Sequence, residues 1–210
     1  MPLYKTIQVS PSTQILIWKI TESFEQLFQE VKLKEKSALR LSGMKSEMHQ
    51  RGFLSVRKLL QEKGYSDFDL HYDEFGKPYF NDGMHISISH SHEFSSIIIS
   101  DSTAGIDLEL RRDKIKLIAD KFLHEEEAGY LDREAADYIN KLTVLWGIKE
   151  VVFKIRNEPG ISFKDHIVAD DFEMQNLQTR AKLQMGNLNL TFTINFEEIE
   201  NFTLVYALEN

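Results

Sequence analysis

From Ala135 to Arg156 the chain carries no proline and no strong helix breaker until Asn157-Glu158-Pro159-Gly160, and Leu145, Ile148, Val152 and Ile155 recur at three- and four-residue intervals. This spacing predicts one long helix with a buried stripe, and a stripe of that length must be covered by a second layer. The downstream residues offer that layer. Leu177, Thr179, Ala181, Leu183 and Met185 alternate with polar partners, Gly186-Asn187 turns the chain, Leu188, Leu190, Phe192, Ile194 and Phe196 alternate again, and Phe202 to Leu208 closes a third strand. Upstream, Thr103 to Leu110 follows the apolar run Ile97-Ile98-Ile99 and is ended by Arg111-Arg112-Asp113, which predicts another strand. On it Asp107 and Glu109 point to one side, Ile106 and Leu108 to the other.

The first half has a similar composition of elements. Ile15 to Ile20 is predicted as a strand, Glu22 to Lys36 as a helix, and Lys36 to Lys63 as one long helix or two broken near Ser42-Gly43. Phe68 to Tyr72 reads as a short strand, Asp73 to Pro78 as a turn, and His85 to Ser91 as a strand that ends at Ser89 and His90. Both halves therefore show helix followed by antiparallel sheet. On an unbroken helix Arg51 would return to within about 20° of Arg40, so that Lys36, Arg40, Arg51 and Lys58 form a cationic stripe. A solvated helix face accounts for the same pattern.

Charge is distributed unevenly. The 210 residues carry net -8, but residues 1–63 hold 11 Lys and Arg against 6 Asp and Glu, net +5, and the remainder holds 14 against 27, net -13. The acidic balance argues against a general nucleic-acid binder. No apolar run is long enough to span a bilayer, and the Met-Pro-Leu-Tyr-Lys start lacks a signal peptide's apolar core, so a cytoplasmic protein is expected. With no cysteine there are no disulfides, no thiol catalysis and no thiolate metal site. Of His85, His90 and His92 only the last two share a strand face, so zinc is not expected.

The chemistry concentrates in two distant segments, Gly105 to Glu109 and Trp146 to Lys154, which supply three carboxylates and two lysines. On the helix Glu150 and Lys154, four apart, share a face with Trp146. Hard oxygen ligands suit magnesium, which takes part of its shell from substrate phosphates, and lysine holds phosphate oxygens as charge builds on a leaving group. Taken singly, each segment is most often just a solvated face of a sheet or helix. Glu125, Glu126 and Glu127 open a predicted helix where its dipole favours acids, a sufficient structural reason for them.

Together, Gly76-Lys77-Pro78, Ser87-Ile88-Ser89-His90-Ser91, Gly105-Ile106-Asp107-Leu108-Glu109 and Trp146-x-x-Lys149-Glu150-x-x-x-Lys154 occur in the order and spacing of the 4'-phosphopantetheinyl transferases. The chain resembles their long monomeric class, that of the surfactin-synthetase activating enzyme. The resemblance implies an α+β fold of two pseudo-twofold-related halves, each of helices packed on a small antiparallel sheet, with the active site in the cleft between them. Residues 1–104 would form the coenzyme A phosphate-binding half and residues 105–210 the half with the magnesium site and catalytic helix.

It further implies that Lys36, Arg40, Arg51, Lys77, Pro78, Ser89, His90, Lys149 and Lys154 bind coenzyme A, and that Asp107, Glu109 and Glu150 hold Mg2+. Glu127 would take the proton of the attacking serine, and Glu150 and Lys154 would complete the catalytic set. The implied reaction moves phosphopantetheine from coenzyme A to an acyl or peptidyl carrier protein, releasing 3',5'-ADP, without nucleic acid or membrane. Two positions depart from the family pattern: Gly147, where relatives often have Ser, Thr or Cys, and Val151, where Ala or Ser is usual. They support a competing reading as a non-catalytic coenzyme A or carrier-binding module. A magnesium-dependent phosphohydrolase using the same carboxylates is the other.

Overall fold

The chain builds a similar scheme twice: one or two opening strands, a group of helices, then strands of which the last pairs with the strand that precedes the helices. The computed structural model describes residues 3–209, and the chain divides between Ser102 and Thr103 into two compact units. In the first unit β1 (Leu3–Ser10) and β2 (Thr13–Lys19) precede α1 (Phe24–Glu30), α2 (Glu35–Ser42) and α3 (Glu47–Gln61). There follow β3 (His71–Tyr72), β4 (Pro78–Tyr79), β5 (His85–Ser91) and β6 (Phe94–Ser100), in an antiparallel sheet ordered β1-β2-β6-β5-β4-β3. One core cluster, including Leu16, Trp18, Leu27, Leu54, Leu59, Ile97 and Ile99, joins this sheet to the helices.

Two predicted elements change here, and one open alternative is settled. The helix expected from Glu22 to Lys36 starts after a capping box, in which Ser23 Oγ accepts from Gln26 N (3.3 Å) and Gln26 Oε1 accepts from Ser23 N (2.9 Å), and stops at Glu30. The following long segment, expected as one helix or as two broken near Ser42-Gly43, is two helices broken at Gly43. The start of α2 and its attachment to α3 are fixed by tertiary contacts: Asp67, only 2 % exposed, accepts from Lys34 N (3.0 Å), Ser37 Oγ (3.0 Å) and Arg57 Nε (2.9 Å). Finally, the strand predicted from Phe68 shrinks to His71–Tyr72, because Asp69 Oδ2 accepts from Ser66 N (2.8 Å) and Ser66 Oγ (2.6 Å) and folds those residues into a turn.

The second unit opens with β7 (Ala104–Leu110), then a 3-10 turn at Asp113–Leu117, α4 (Ala119–Phe122), α5 (Glu125–Tyr130), α6 (Tyr138–Arg156) and α7 (Phe163–His166). Next come β8 (Ile167–Ala169), β9 (Gln178–Met185), β10 (Leu188–Ile199) and β11 (Phe202–Leu208), in a sheet ordered β7-β11-β10-β9-β8. The long helix α6 ends at Asn157, which adopts the left-handed conformation (φ 49°) and donates its N–H to Phe153 O (2.6 Å). Its stripe Leu145, Ile148, Val152 and Ile155 is buried with Ala181, Leu183, Phe192, Ile194 and Val205 of the sheet. Thus both units are α+β, but helices interrupt each sheet in sequence instead of preceding it. Strand β1, largely exposed, and the three-residue β8 have too little alternation to be read from sequence. No helix among the described residues is long and apolar enough to cross a membrane.

Candidate active site

Helix α6 runs over β7 with its residues matched to the strand two by four. Four helical residues rise about 6 Å and two strand residues about 6.8 Å, so every second residue of β7 meets one turn of the helix. Two glycines permit the approach. A Cβ on Gly105 would lie 2.5 Å from Val151 O and 3.0 Å from Ile155 Cγ1, and a Cβ on Gly147 would lie 2.5 Å from Val205 Cγ2. Val205 pairs with Asp107 across β11 and β7, so Gly147 stands directly above the carboxylate, 3.7 Å from Asp107 Oδ2 to the position of its missing Cβ. Trp146, the residue before Gly147, and Thr143, one turn earlier, line a cavity of about 240 Å³ together with Glu109.

This packing brings Asp107, Glu150 and Lys154 together. Asp107 is 3 % exposed, and Lys154 Nζ donates to its Oδ1 (2.8 Å) and to Ile106 O (2.9 Å). Burial pushes the Glu150 carboxyl above its ordinary value, the negative charge of Asp107 pushes it further, and Lys154 opposes both. Two carboxylates are therefore held close in a setting that disfavours their combined charge, with one lysine as counterion. Among the described residues no group of three His, Cys, Asp or Glu side chains closes on a point that could hold a metal ion. By donor type the set still suits a hard divalent cation: Asp107 and Glu150 are drawn together and Glu109 follows on the same strand. Trp146 packs edge-on against Phe122 (5.3 Å between ring centres) and tilted against Phe163 (5.7 Å), anchoring this face of α6 in the core.

Glu127 and Lys149 are brought together elsewhere. Both side chains are fully buried, and Lys149 Nζ lies 2.6 and 2.7 Å from the two Glu127 oxygens while donating also to Ile167 O. The same carboxylate accepts from His124 N (2.9 Å) and Ala169 N (2.8 Å). Desolvation lowers the Lys149 pKa, and Glu127 works against that shift. Neither group is open to solvent, so Lys149 reaches no phosphate in this conformation.

In the first unit the cationic residues fall into separate groups. Lys36 and Arg40, both exposed on α2, line a cavity of about 360 Å³ with Lys34, His71, Tyr72 and Tyr79. Arg51, on α3, donates to Ile20 O (3.2 Å) and lines another cavity with Met48, His92 and Glu93. Lys58 pairs with Glu30 at 2.9 Å. The break at Gly43 thus dissolves the single stripe. His90 is exposed at the end of β5 and lies over Gly52 of α3, where a Cβ would meet its Nδ1 at 3.1 Å, while Ser89 beside it is 8 % exposed. Lys77 and Pro78 follow the turn at Gly76 (φ 85°), in which Asp73 Oδ1 accepts from Lys77 N (2.8 Å). Gly52, Gly105 and Val205 escape a reading by residue type; the only signal of the first was a glycine inside a helix.

The sequence profile of the 4'-phosphopantetheinyl transferase superfamily matches residues 103–205, the region that contains β7, α6 and the Asp107 cluster. A curated 4'-phosphopantetheinyl transferase, Gsp of Aneurinibacillus migulanus, is 31% identical over 123 residues, covering 58% of this chain and 50% of that protein. The chain therefore matches about half the length of this relative. The chain thus resembles the 4'-phosphopantetheinyl transferase superfamily both in the family's sequence profile, over residues 103–205, and in this relative.

Proposed function

We propose that the protein transfers 4'-phosphopantetheine from coenzyme A to a serine of an acyl or peptidyl carrier protein, in a magnesium-dependent reaction that releases 3',5'-ADP. The observation that carries this reading is the buried Asp107 with Lys154 at 2.8 Å and Glu150 drawn beside it, inside the region that matches the superfamily. Asp107, Glu109 and Glu150 would hold the metal; the chemistry it supplies when bound is neutralisation of pyrophosphate charge. Lys154 then has a phosphate oxygen to hold in place of Asp107, next to the charge that develops on the leaving group. The serine oxygen forms a bond to the β-phosphorus, the bond from that phosphorus to 3',5'-ADP breaks, and the hydroxyl proton is lost to a base or solvent. The exposed Lys36 and Arg40, with Arg51, Lys77, Ser89 and His90, would hold the phosphates at the nucleotide end of coenzyme A.

Gly147 and Val151 fit this reading without loss of a ligand. Val205 fills the space that a side chain at 147 would need, and the Val151 carbonyl packs where Gly105 lacks a side chain. Mass spectrometry of an apo carrier protein incubated with coenzyme A, Mg2+ and the full chain tests the proposal. One added phosphopantetheine, absent with chelator and with Asp107→Ala, is the expected result. Coenzyme A binding without transfer to carriers from several pathways would favour the non-catalytic module, and coenzyme A cleavage without a carrier would favour the phosphohydrolase.

A further inference from the structure

Both oxygens of Glu127 face donors from three elements: His124 N at the start of α5, Lys149 Nζ on α6 and Ala169 N on β8. Lys149 also donates to Ile167 O on β8, and neither side chain is exposed. Lys149 immediately precedes Glu150, and consecutive helical residues differ by about 100° in direction. Tying Lys149 to α5 and β8 therefore fixes the rotation of α6 at which Glu150 is presented near Asp107. A second buried carboxylate, one given no part in the reaction, joins elements in the same way. Asp67 in the first unit is 2 % exposed and accepts from Arg57, Ser37 and the Lys34 backbone, joining α2, α3 and a turn.

We propose that Glu127 and Lys149 are positioning residues, a buried clamp that sets α6 so that Glu150 can serve the metal site, and that Glu127 is not the acceptor of the serine proton. The inference rests on the transferase reading for the metal site and for its activity test. As an acceptor, Glu127 would have to be released from Lys149 and from two backbone donors and reach solvent. As a clamp it acts from where it is. Outer groups that orient a metal ligand typically govern affinity by about 10- to 100-fold.

The test compares wild type, Glu127→Gln and Lys149→Met by titration calorimetry with Mg2+ alone and by the pH dependence of kcat with an apo carrier protein. The clamp predicts that Mg2+ affinity falls by about 10- to 100-fold in both variants, that kcat falls in step, and that the pH midpoints of the rate profile stay in place. A kcat loss of about 100-fold in Glu127→Gln with Mg2+ affinity close to wild type would identify a proton acceptor and overturn the clamp. A pH midpoint displaced in Lys149→Met at unchanged affinity would do the same, as would unchanged affinity in both variants. Should either single variant not fold, the apolar pair Glu127→Leu with Lys149→Met removes both charges together, and wild-type Mg2+ affinity in that protein rejects the proposal. If the wild type binds Mg2+ but transfers nothing, the transferase reading fails and the affinity comparison alone decides the clamp; a wild type that binds no Mg2+ rejects both.

Discussion

Burial and the adjacent Asp107 both oppose the charge on Glu150, and only Lys154 offsets them. A carboxyl whose folded pKa lies above its ordinary 4.5 binds more protons folded than unfolded. Its contribution to stability is complete below that value and is lost as pH rises through the raised one. Glu150→Gln should therefore melt higher than wild type at neutral pH without metal, with the difference shrinking toward acid pH, and should no longer gain stability from Mg2+. A thermal melt series over pH, with and without Mg2+, checks both. The opposite sign is expected at Gly147. Alanine there improves helix propensity by up to about 1 kcal/mol, but its Cβ would lie 2.5 Å from the branched Val205, which is held on a strand. Overpacking of this kind costs about 1–3 kcal/mol, so Gly147→Ala should lower stability, and Val205→Ala should relieve part of that loss in the double variant. Chemical denaturation of the four proteins measures the coupling. The carboxylates and Lys154 could be named from sequence because motif spacing carries them. The role of Gly147 could not, because its neighbour Val205 is 58 residues away and only the β7 to β11 pairing brings it there.

Among the elements, each unit contains one buried carboxylate that gathers chain segments lacking periodicity of their own. Asp67 fixes the start of α2, and Glu127 fixes α5 to β8. The buried Arg57 that pairs with Asp67 also lies 3.5 Å from the Phe53 ring centre. Removing one partner of a buried pair leaves an uncompensated charge and costs about 3–5 kcal/mol. Arg57→Met should therefore destabilise the protein strongly, with hydrogen-exchange protection lost first in α2 and α3. The periodic elements α6, β9, β10 and β11 were legible because a single face of each meets the core. The end of α1, the break before α2 and strand β8 were not, because their positions depend on hydrogen bonds from residues distant in the chain.

For the whole molecule, the uneven charge separates two kinds of binding. Lys36 and Arg40 are exposed, so their attraction for coenzyme A phosphates should weaken as salt rises from about 0.05 to about 0.5 M, where the screening length falls to a few ångströms. Asp107 is buried and Glu150 partly buried, so stabilisation by Mg2+ should change less over the same range. Parallel calorimetric titrations with coenzyme A and with Mg2+ measure the two trends. The order of residues alone determined the strand at Asp107, the helix at Glu150, the alternating C-terminal strands and the motif spacing that marks the superfamily, since each depends on local periodicity or fixed residue types. Tertiary structure decided that Lys36 and Arg40 share a cavity without Arg51, that Lys149 faces inward to Glu127 while Glu150 faces Asp107, and that two glycines let α6 approach β7 and β11. Those outcomes depend on volumes and donor geometries contributed by segments far apart in sequence, which no local pattern encodes.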